Sequence, residues 1–287
     1  MMRYDPTRQA LLSPEAQPPL AMDDGWSIDA IAAECSRLAY VRFEAGQPQR
    51  DLIAAALQRA GYGRVTWFQD DHDLAKGRRL VAPGFGAIDA AGRAIIAFRG
   101  TQADSFRDIL ADARFGLVKW PGQGRVHSGF WTSLAGILPQ IEAWLTSLKV
   151  SRLIVTGHSL GAAKATLLAA LQDKAELISF GSPRVGDAAF VASLAGRAIR
   201  RYVNCTDVVT QLPPAVGYAH VEGLHYIDHQ GRVRGADDMP SLLKDHLEAN
   251  RTHLACLRST DNVQIRSLAD HAPINYVSAV RSVRTDA

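Results

Sequence analysis

The sequence predicts an α/β fold with a mostly parallel central sheet and helices on both of its faces. Two observations support this prediction. Between residues 128 and 204, apolar runs of strand length alternate with helical runs, and such alternation is typical of parallel strands joined by crossover helices. Upstream, β-rich segments at 64–69, 78–88 and 93–100 are separated by short turns, which predicts antiparallel strands at the N-terminal edge of the sheet.

The other elements follow from hydrophobic spacing. Helices are predicted at 27–40 and 50–62, ahead of the antiparallel strands. Between 128 and 148, apolar residues recur at three- and four-residue steps, which predicts one long helix that Pro139 kinks. The alternating part continues with strands at 152–157, 176–181 and 199–204 and helices at 160–172 and 187–194, followed by helices at 239–257 and 272–283.

Length and composition are those of a globular chain. With 287 residues, 47% hydrophobic and 21% charged, we expect a single domain over residues 27–287. The proline-rich residues 1–26 are expected to form an extended lead-in. The net charge of +3 comes from interspersed rather than clustered charges, so we expect no nucleic-acid partner, whereas a lipid surface stays open. The three cysteines lie far apart, which predicts packed thiols rather than disulfides or a metal site.

Neither a membrane span nor a leader is visible. No apolar run reaches the ~20 residues that a spanning helix needs, and the N-terminus lacks the apolar stretch of a signal peptide. We therefore expect no transmembrane segment, and a protein that is cytoplasmic or secreted without a visible signal peptide. The sequence leaves the oligomeric state open.

Ser159 is the candidate nucleophile. It lies in VTGHSLGAAKA, where Gly157, Ser159 and Gly161 form a G-x-S-x-G pattern between an apolar strand and an alanine-rich helix. At such a strand-to-helix turn, backbone strain presents the serine hydroxyl and the glycines remove side chains that would collide. The alternative is an ordinary Gly-Ser turn that caps the helix, and the strand–helix context favours the nucleophile.

A serine hydroxyl becomes reactive when a histidine takes its proton and a carboxylate orients that histidine. Asp207 follows the apolar strand 199–204, where this carboxylate is expected, although a solvated loop aspartate is the alternative. Asp228 and Asp270 are weaker candidates because neither follows a clear central strand. Among the histidines, His271 has a modest lead because its loop leads into the last predicted helix. The others left open are His220, His225, His246 and His253.

An attacked carbonyl also needs donors for its developing negative charge. The backbone N–H of Leu160, directly after the candidate nucleophile, is one such donor. Thr101 follows the strand at 93–100 and offers both an amide and a hydroxyl. Its alternative role is that of a strand-end turn residue.

Several separated stretches resemble one family, the class 3 or fungal-type triacylglycerol lipases. They occur in the family's order as FRGT (98–101), VHSGF (126–130), GHSLG (157–161), FGSPRVGD (180–187), YVNCTDVVTQLPP (202–214), HVEGLHYI (220–227) and DHAPINY (270–276). The resemblance implies an α/β-hydrolase fold that hydrolyses carboxylic esters of acylglycerols through an acyl-enzyme, without metal or cofactor. It makes Ser159 the nucleophile, Asp207 the acid and His271 the base. It also assigns Thr101 and the Leu160 amide to the oxyanion hole.

The same resemblance places a lid directly after FRGT. Here Phe106, Ile109 and Leu110 form an apolar stripe opposite charged residues, which predicts an amphipathic helix over the site. An ordinary helix packed permanently on the core is the alternative. The tryptophan often found in such lids is missing, which leaves interfacial activation open.

The expected partner is a lipid or small ester substrate, at an oil–water or membrane interface. A phospholipase A1 or a feruloyl-type esterase on the same scaffold is the first alternative. A non-catalytic lipase-like binding module is the second, and it predicts that a triad residue is missing. All three positions are filled here.

Overall fold

The structure is a computed structural model that describes residues 4–23, 25–69, 83–100 and 116–282. Its strands are β1 (Tyr62–Phe68), β2 (Gly84–Asp89), β3 (Arg93–Phe98), β4 (Leu117–Lys119), β5 (Arg125–His127), β6 (Arg152–His158), β7 (Ala175–Phe180), β8 (Ile199–Asn204), β9 (Leu224–Ile227) and β10 (Val233–Arg234). Its α-helices are α1 (Arg8–Leu12), α2 (Ile28–Leu38), α3 (Gln47–Arg59), α4 (Ser128–Ala135), α5 (Leu138–Thr146), α6 (Leu160–Leu171), α7 (Ala188–Ala192), α8 (Leu242–His253), α9 (Arg266–Ala269) and α10 (Pro273–Ser282).

One sheet organises the described part of the chain. Its strand order is β1-β2-β3-β6-β7-β8-β9-β10, and β4 pairs with β5 separately. β1, β2 and β3 run antiparallel, whereas β3, β6, β7, β8 and β9 run parallel. This arrangement confirms the predicted α/β class with antiparallel strands at the N-terminal edge.

The apolar core lies on both faces of the sheet, because successive strand residues point in opposite directions. Ile95 and Ile154 pack into one cluster with residues of α2 and α10. Ile96 and Val155 pack into the other with residues of α4, α5 and α6. The near-continuous burial of β6 follows from this two-sided cover. None of the described helices is long and apolar enough to cross a membrane.

The long helix predicted at 128–148 is in fact two helices, α4 and α5, which are separated at Gly136 and Ile137. Pro139 lies in the first turn of α5. A proline there loses no hydrogen bond, because the first N–H groups of a helix have no intrahelical acceptor. The proline therefore begins a helix instead of kinking one.

The lead-in expected to be extended contains α1 and a short 3-10 helix at Pro14–Ala16. It is held to α2 by two residues of that helix, Glu34 and Arg37, whose fully buried side chains pair with each other at 2.6 Å between Oε1 and a terminal guanidinium nitrogen. Glu34 accepts the Leu20 N–H at 2.9 Å. Arg37 also donates to three carbonyl oxygens of the lead-in, those of Pro14, Gln17 and Pro18.

Substitution of Arg37 tests whether the Glu34–Arg37 pair stabilises the fold. Arg37→Met strands the Glu34 carboxylate in the interior, so the free energy of unfolding is expected to fall by about 3–5 kcal/mol, measured by urea denaturation followed by circular dichroism. Arg42→Met is the control, because Arg42 is exposed and such changes stay within about 0.5 kcal/mol. Equal free energies of unfolding for the two variants would contradict a stabilising role of the Glu34–Arg37 pair.

Candidate active site

Ser159 occupies a strained turn between β6 and α6. Its φ is +58° and its ψ is −128°, a region that residues other than glycine rarely adopt. The Ser159 N–H donates to the Phe180 carbonyl at the end of β7, at 3.0 Å. The Oγ is buried and has no hydrogen-bond partner within the described ranges. The sheet thus holds a strained serine at its carboxyl edge.

The flanking glycines are required by close backbone contacts. A Cβ on Gly157 would lie 2.3 Å from the carbonyl carbon of Gly161. A Cβ on Gly161 would lie 2.2 Å from the carbonyl oxygen of Phe98 in β3. Because these neighbours are backbone atoms, they have no rotamer by which to move away. The G-x-S-x-G pattern is therefore a packing requirement of the turn.

His271 and Asp207 form a buried pair at the same edge. The Nδ1 of His271 lies 2.8 Å and 3.0 Å from the two carboxylate oxygens of Asp207. Asp207 comes three residues after β8, and His271 lies between α9 and α10. An Nδ1–H that donates to the carboxylate sets the tautomer in which Nε2 accepts a proton.

Ser159 lies next to this pair. The ring of His158, its chain neighbour, is centred 4.4 Å from the ring of His271. Gly181, which directly follows Phe180, has a φ of +57°, and a Cβ there would lie 2.9 Å from Asp207 Oδ2 and 3.2 Å from His271 Cε1. The ends of β6 and β8 and the loop before α10 therefore bring the predicted serine, aspartate and histidine to the same edge of the sheet.

Two tyrosines absent from the predicted site complete it. Tyr276 donates its hydroxyl to Asp207 Oδ2 at 2.5 Å and accepts the Asn204 N–H at 3.1 Å. Burial, reinforced by the negative Asp207, raises the pKa of Tyr276 well above its ordinary value, so this hydroxyl stays a donor. Tyr40 bonds to His158 Nδ1 at 2.8 Å. Burial and the neighbouring His271 lower the pKa of His158 well below its ordinary value, which keeps a second cation away from the pair.

The carboxylate of Asp270, a weaker candidate for the orienting acid, joins two loops through its hydrogen bonds. One oxygen accepts both the N–H and the hydroxyl of Thr206, at 3.0 Å and 2.7 Å. The other accepts from Arg266 at 2.6 Å and from Tyr4 at 3.0 Å. Thr206 precedes Asp207 and Asp270 precedes His271 in the chain. One buried carboxylate thus fixes the two loops relative to each other.

The other candidates are engaged elsewhere. Asp228 pairs with Arg232 and Arg234 in the β9–β10 turn. The Nε2 of His220 bonds to the Thr210 carbonyl, and burial together with Arg201 lowers the pKa of His220 to about 3. His225 stacks on Tyr202, and His253 bonds to the Val263 carbonyl, while His246 lies on α8. Among the candidate histidines in the described part of the chain, His271 alone bonds to Asp207.

Of the two expected oxyanion donors, Leu160 lies among the described residues and Thr101 does not. Leu160 is the first residue of α6, so its N–H belongs to those that have no acceptor within the helix and that carry its positive dipole end. Thr101 and the lid residues Phe106, Ile109 and Leu110 lie outside the described residues. Within the described ranges, no three His, Cys, Asp or Glu side chains are grouped to hold a metal ion.

A nucleophile candidate at the end of a central strand, with an acid and a histidine on later loops, is the arrangement of the α/β hydrolases. Residues 95–217 match the family model of class 3 lipases. Over this segment the chain is similar to the class 3 lipases, a family of the α/β-hydrolase superfamily.

Several of the proteins to which the chain is similar are fungal lipases. The chain is 38% identical over 154 residues to a lipase of Rhizomucor miehei, which covers 46% of this chain and 41% of that protein. It is 35% identical over 159 residues to the secreted mono- and diacylglycerol lipase A of Penicillium camembertii, covering 50% and 51%. The match thus spans about half the length of these relatives or less. The crystal structure of a lipase from Rhizopus microsporus var. chinensis superposes with a TM-score of 0.53 and 26% identity, covering 75% of this chain and 81% of that one.

Substitution of Asp270 tests whether its carboxylate holds the loops of Asp207 and His271 together. Asp270→Asn leaves Arg266 buried without its counter-charge, so the free energy of unfolding is expected to fall by about 3–5 kcal/mol in urea denaturation. The downfield proton resonance of the His271 Nδ1–H, assigned by its loss in His271→Asn, is expected to shift or broaden. Asp173→Asn is the control, since the Asp173 side chain is 93% exposed. An unchanged His271 resonance would show that the bridge does not hold the pair.

Proposed function

We propose that this chain is a serine hydrolase that cleaves carboxylic esters of acylglycerols through an acyl-enzyme. The observation that carries this proposal is the strained Ser159 beside the buried Asp207–His271 pair. Strain at a non-glycine residue is expected at functional sites rather than at ordinary turns. A hydroxyl, an imidazole and a carboxylate in this order have one well-understood joint chemistry, which is acyl transfer.

In the proposed mechanism, the Ser159 hydroxyl attacks the ester carbonyl while Nε2 of His271 takes its proton. Asp207 holds the imidazole in the required tautomer and stabilises the imidazolium that forms. The negative charge on the carbonyl oxygen is received by the Leu160 N–H at the start of α6, together with the amide and hydroxyl of Thr101. His271 then protonates the leaving alcohol. A water molecule, activated by the same imidazole, hydrolyses the acyl-enzyme.

The substrate class rests on the relatives, two of which are named as a lipase and as a mono- and diacylglycerol lipase. We infer that the chain meets its lipid ester at an oil–water or membrane interface, and that Phe106, Ile109 and Leu110 belong to a lid over the site. We also propose that residues 27–287 form one domain. Preference for phospholipids or feruloyl esters in the assay below would replace the acylglycerol with one of these substrates.

Replacement of the nucleophile is the direct test. Ser159→Ala is expected to lower kcat/KM for p-nitrophenyl butyrate, octanoate and palmitate by about 10³-fold or more, because the acyl-enzyme no longer forms. Ser193→Ala, at the serine that directly follows α7, is the matched control and is expected to keep full activity. Equal turnover by wild type and Ser159→Ala, or no turnover of any ester, would favour a binding module instead.

The oxyanion assignment is tested at Thr101. Thr101→Val removes the hydroxyl and keeps the amide and the branched shape, so kcat is expected to fall by about 10²-fold with little change in KM. Thr101→Ser retains the hydroxyl and is expected to retain most of the rate. Equal kcat values for the Val and Ser variants would remove the hydroxyl from the mechanism.

A further inference from the structure

Large apolar side chains are exposed along α8 and the 3-10 helix that continues it at Leu254–Arg258. Leu243, Leu247 and Leu254 are 74%, 63% and 63% exposed. Their spacing of four and then seven residues places them on one side of the helix. We call these three residues the leucine ridge. An apolar row on a soluble surface marks an interaction site when it is contiguous.

The leucines face outward because polar anchors fix the rotation of α8. On the opposite side, Asp245 accepts from Tyr226 at 2.7 Å and from Cys205 at 3.2 Å, and lies 2.6 Å from the His229 Nδ1. Two turns on, His253 bonds to the Val263 carbonyl at 2.9 Å. To bury the leucines, the helix would have to break these buried bonds. Exposure of the ridge is therefore built into the fold.

A row of cations runs beside the leucine ridge. Lys244, Arg251 and Arg258 follow one another at seven-residue steps and are exposed. Lys244 and Arg251 lie about one-quarter turn from the leucines, and Arg258, in the 3-10 helix, lies about one-third of a turn from Leu254. We call these three residues the basic row. Within 242–258, the acidic residues are the buried Asp245 and Glu248, which pairs with Arg251 at 2.9 Å. The outward face is thus apolar along one row and cationic along the next.

We propose that this face docks α8 in the plane of a lipid surface that carries anionic headgroups. Leucines that enter the acyl boundary beside cations at headgroup level are the pattern of interfacial helices. A second copy of the chain fits less well, because stacking two such faces would bring basic rows together. The inference goes beyond the proposed function by assigning a lipid-binding surface to residues outside the catalytic site and the expected lid.

Vesicle binding tests the proposal. The protein carries Ser159→Ala, so that no fatty acid is released to add charge to the membrane. Co-sedimentation is measured with vesicles of phosphatidylcholine alone and of phosphatidylcholine with phosphatidylglycerol. We expect stronger binding to the anionic vesicles, weakened by salt.

Combined Leu243→Ser, Leu247→Ser and Leu254→Ser is expected to lower partitioning about tenfold or more. Combined Lys244→Gln, Arg251→Gln and Arg258→Gln is expected to abolish the anionic preference, at about fivefold per charge.

Matched controls use exposed residues elsewhere. Leu12→Ser with Leu52→Ser, at leucines 41% and 42% exposed, and Arg42→Gln with Arg59→Gln are expected to bind as the parent does. The proposal is overturned if the parent does not bind, if the controls lose as much binding, or if sedimentation velocity shows a dimer that the serine variants dissociate. Circular dichroism of each variant verifies folding. Hydrolysis of soluble p-nitrophenyl butyrate is measured separately with the chain that retains Ser159. Absence of hydrolysis would then contradict the proposed function without changing the vesicle result.

Discussion

The geometry of the site depends on the hydrogen bonds that one buried carboxylate, that of Asp207, accepts. It accepts bonds from His271, from the Tyr276 hydroxyl and from the Val209 N–H. Each bond compensates part of the cost of holding a charge away from water. The same bonds restrict the carboxylate to one orientation and so direct the imidazole plane. Because the 3-10 helix after β8 (Val208–Gln211), α10 and the loop before α10 supply these partners, the geometry of the pair depends on several elements at the carboxyl edge of the sheet.

The nucleophile depends on the other half of the sheet. The strained turn at Ser159 persists because β3 and β6 lie in register, with Phe98 opposite Gly157, and because α6 approaches Phe98 closely through Gly161. A larger side chain at either glycine would separate helix from sheet, and the strain would relax. Backbone packing against the neighbouring strand therefore maintains the unusual conformation that a reactive serine requires.

Features that depend on neighbouring residues were predicted from the sequence, whereas contacts between residues distant in the chain were missed. The alternation of strands and helices, the G-x-S-x-G turn and the position of Asp207 depend on neighbouring residues, so the sequence displays them. The choice of His271 over other histidines needed the family resemblance, because its partner lies 64 residues away. Tyr40 and the bridging role of Asp270 were not foreseen, since their partners are also distant in sequence. Pro139 was misread because a proline kinks a helix interior but suits a first turn.

The bond between Tyr4 and Asp270 joins residues 266 positions apart, and this separation has a consequence for biosynthesis. Tyr4 leaves the ribosome long before Asp270, its acceptor, has been synthesised. Contacts of such long range form late and slowly. The nascent sheet can therefore assemble while the serine, aspartate and histidine are still not aligned, and reactivity arises only after Asp270 and His271 have emerged.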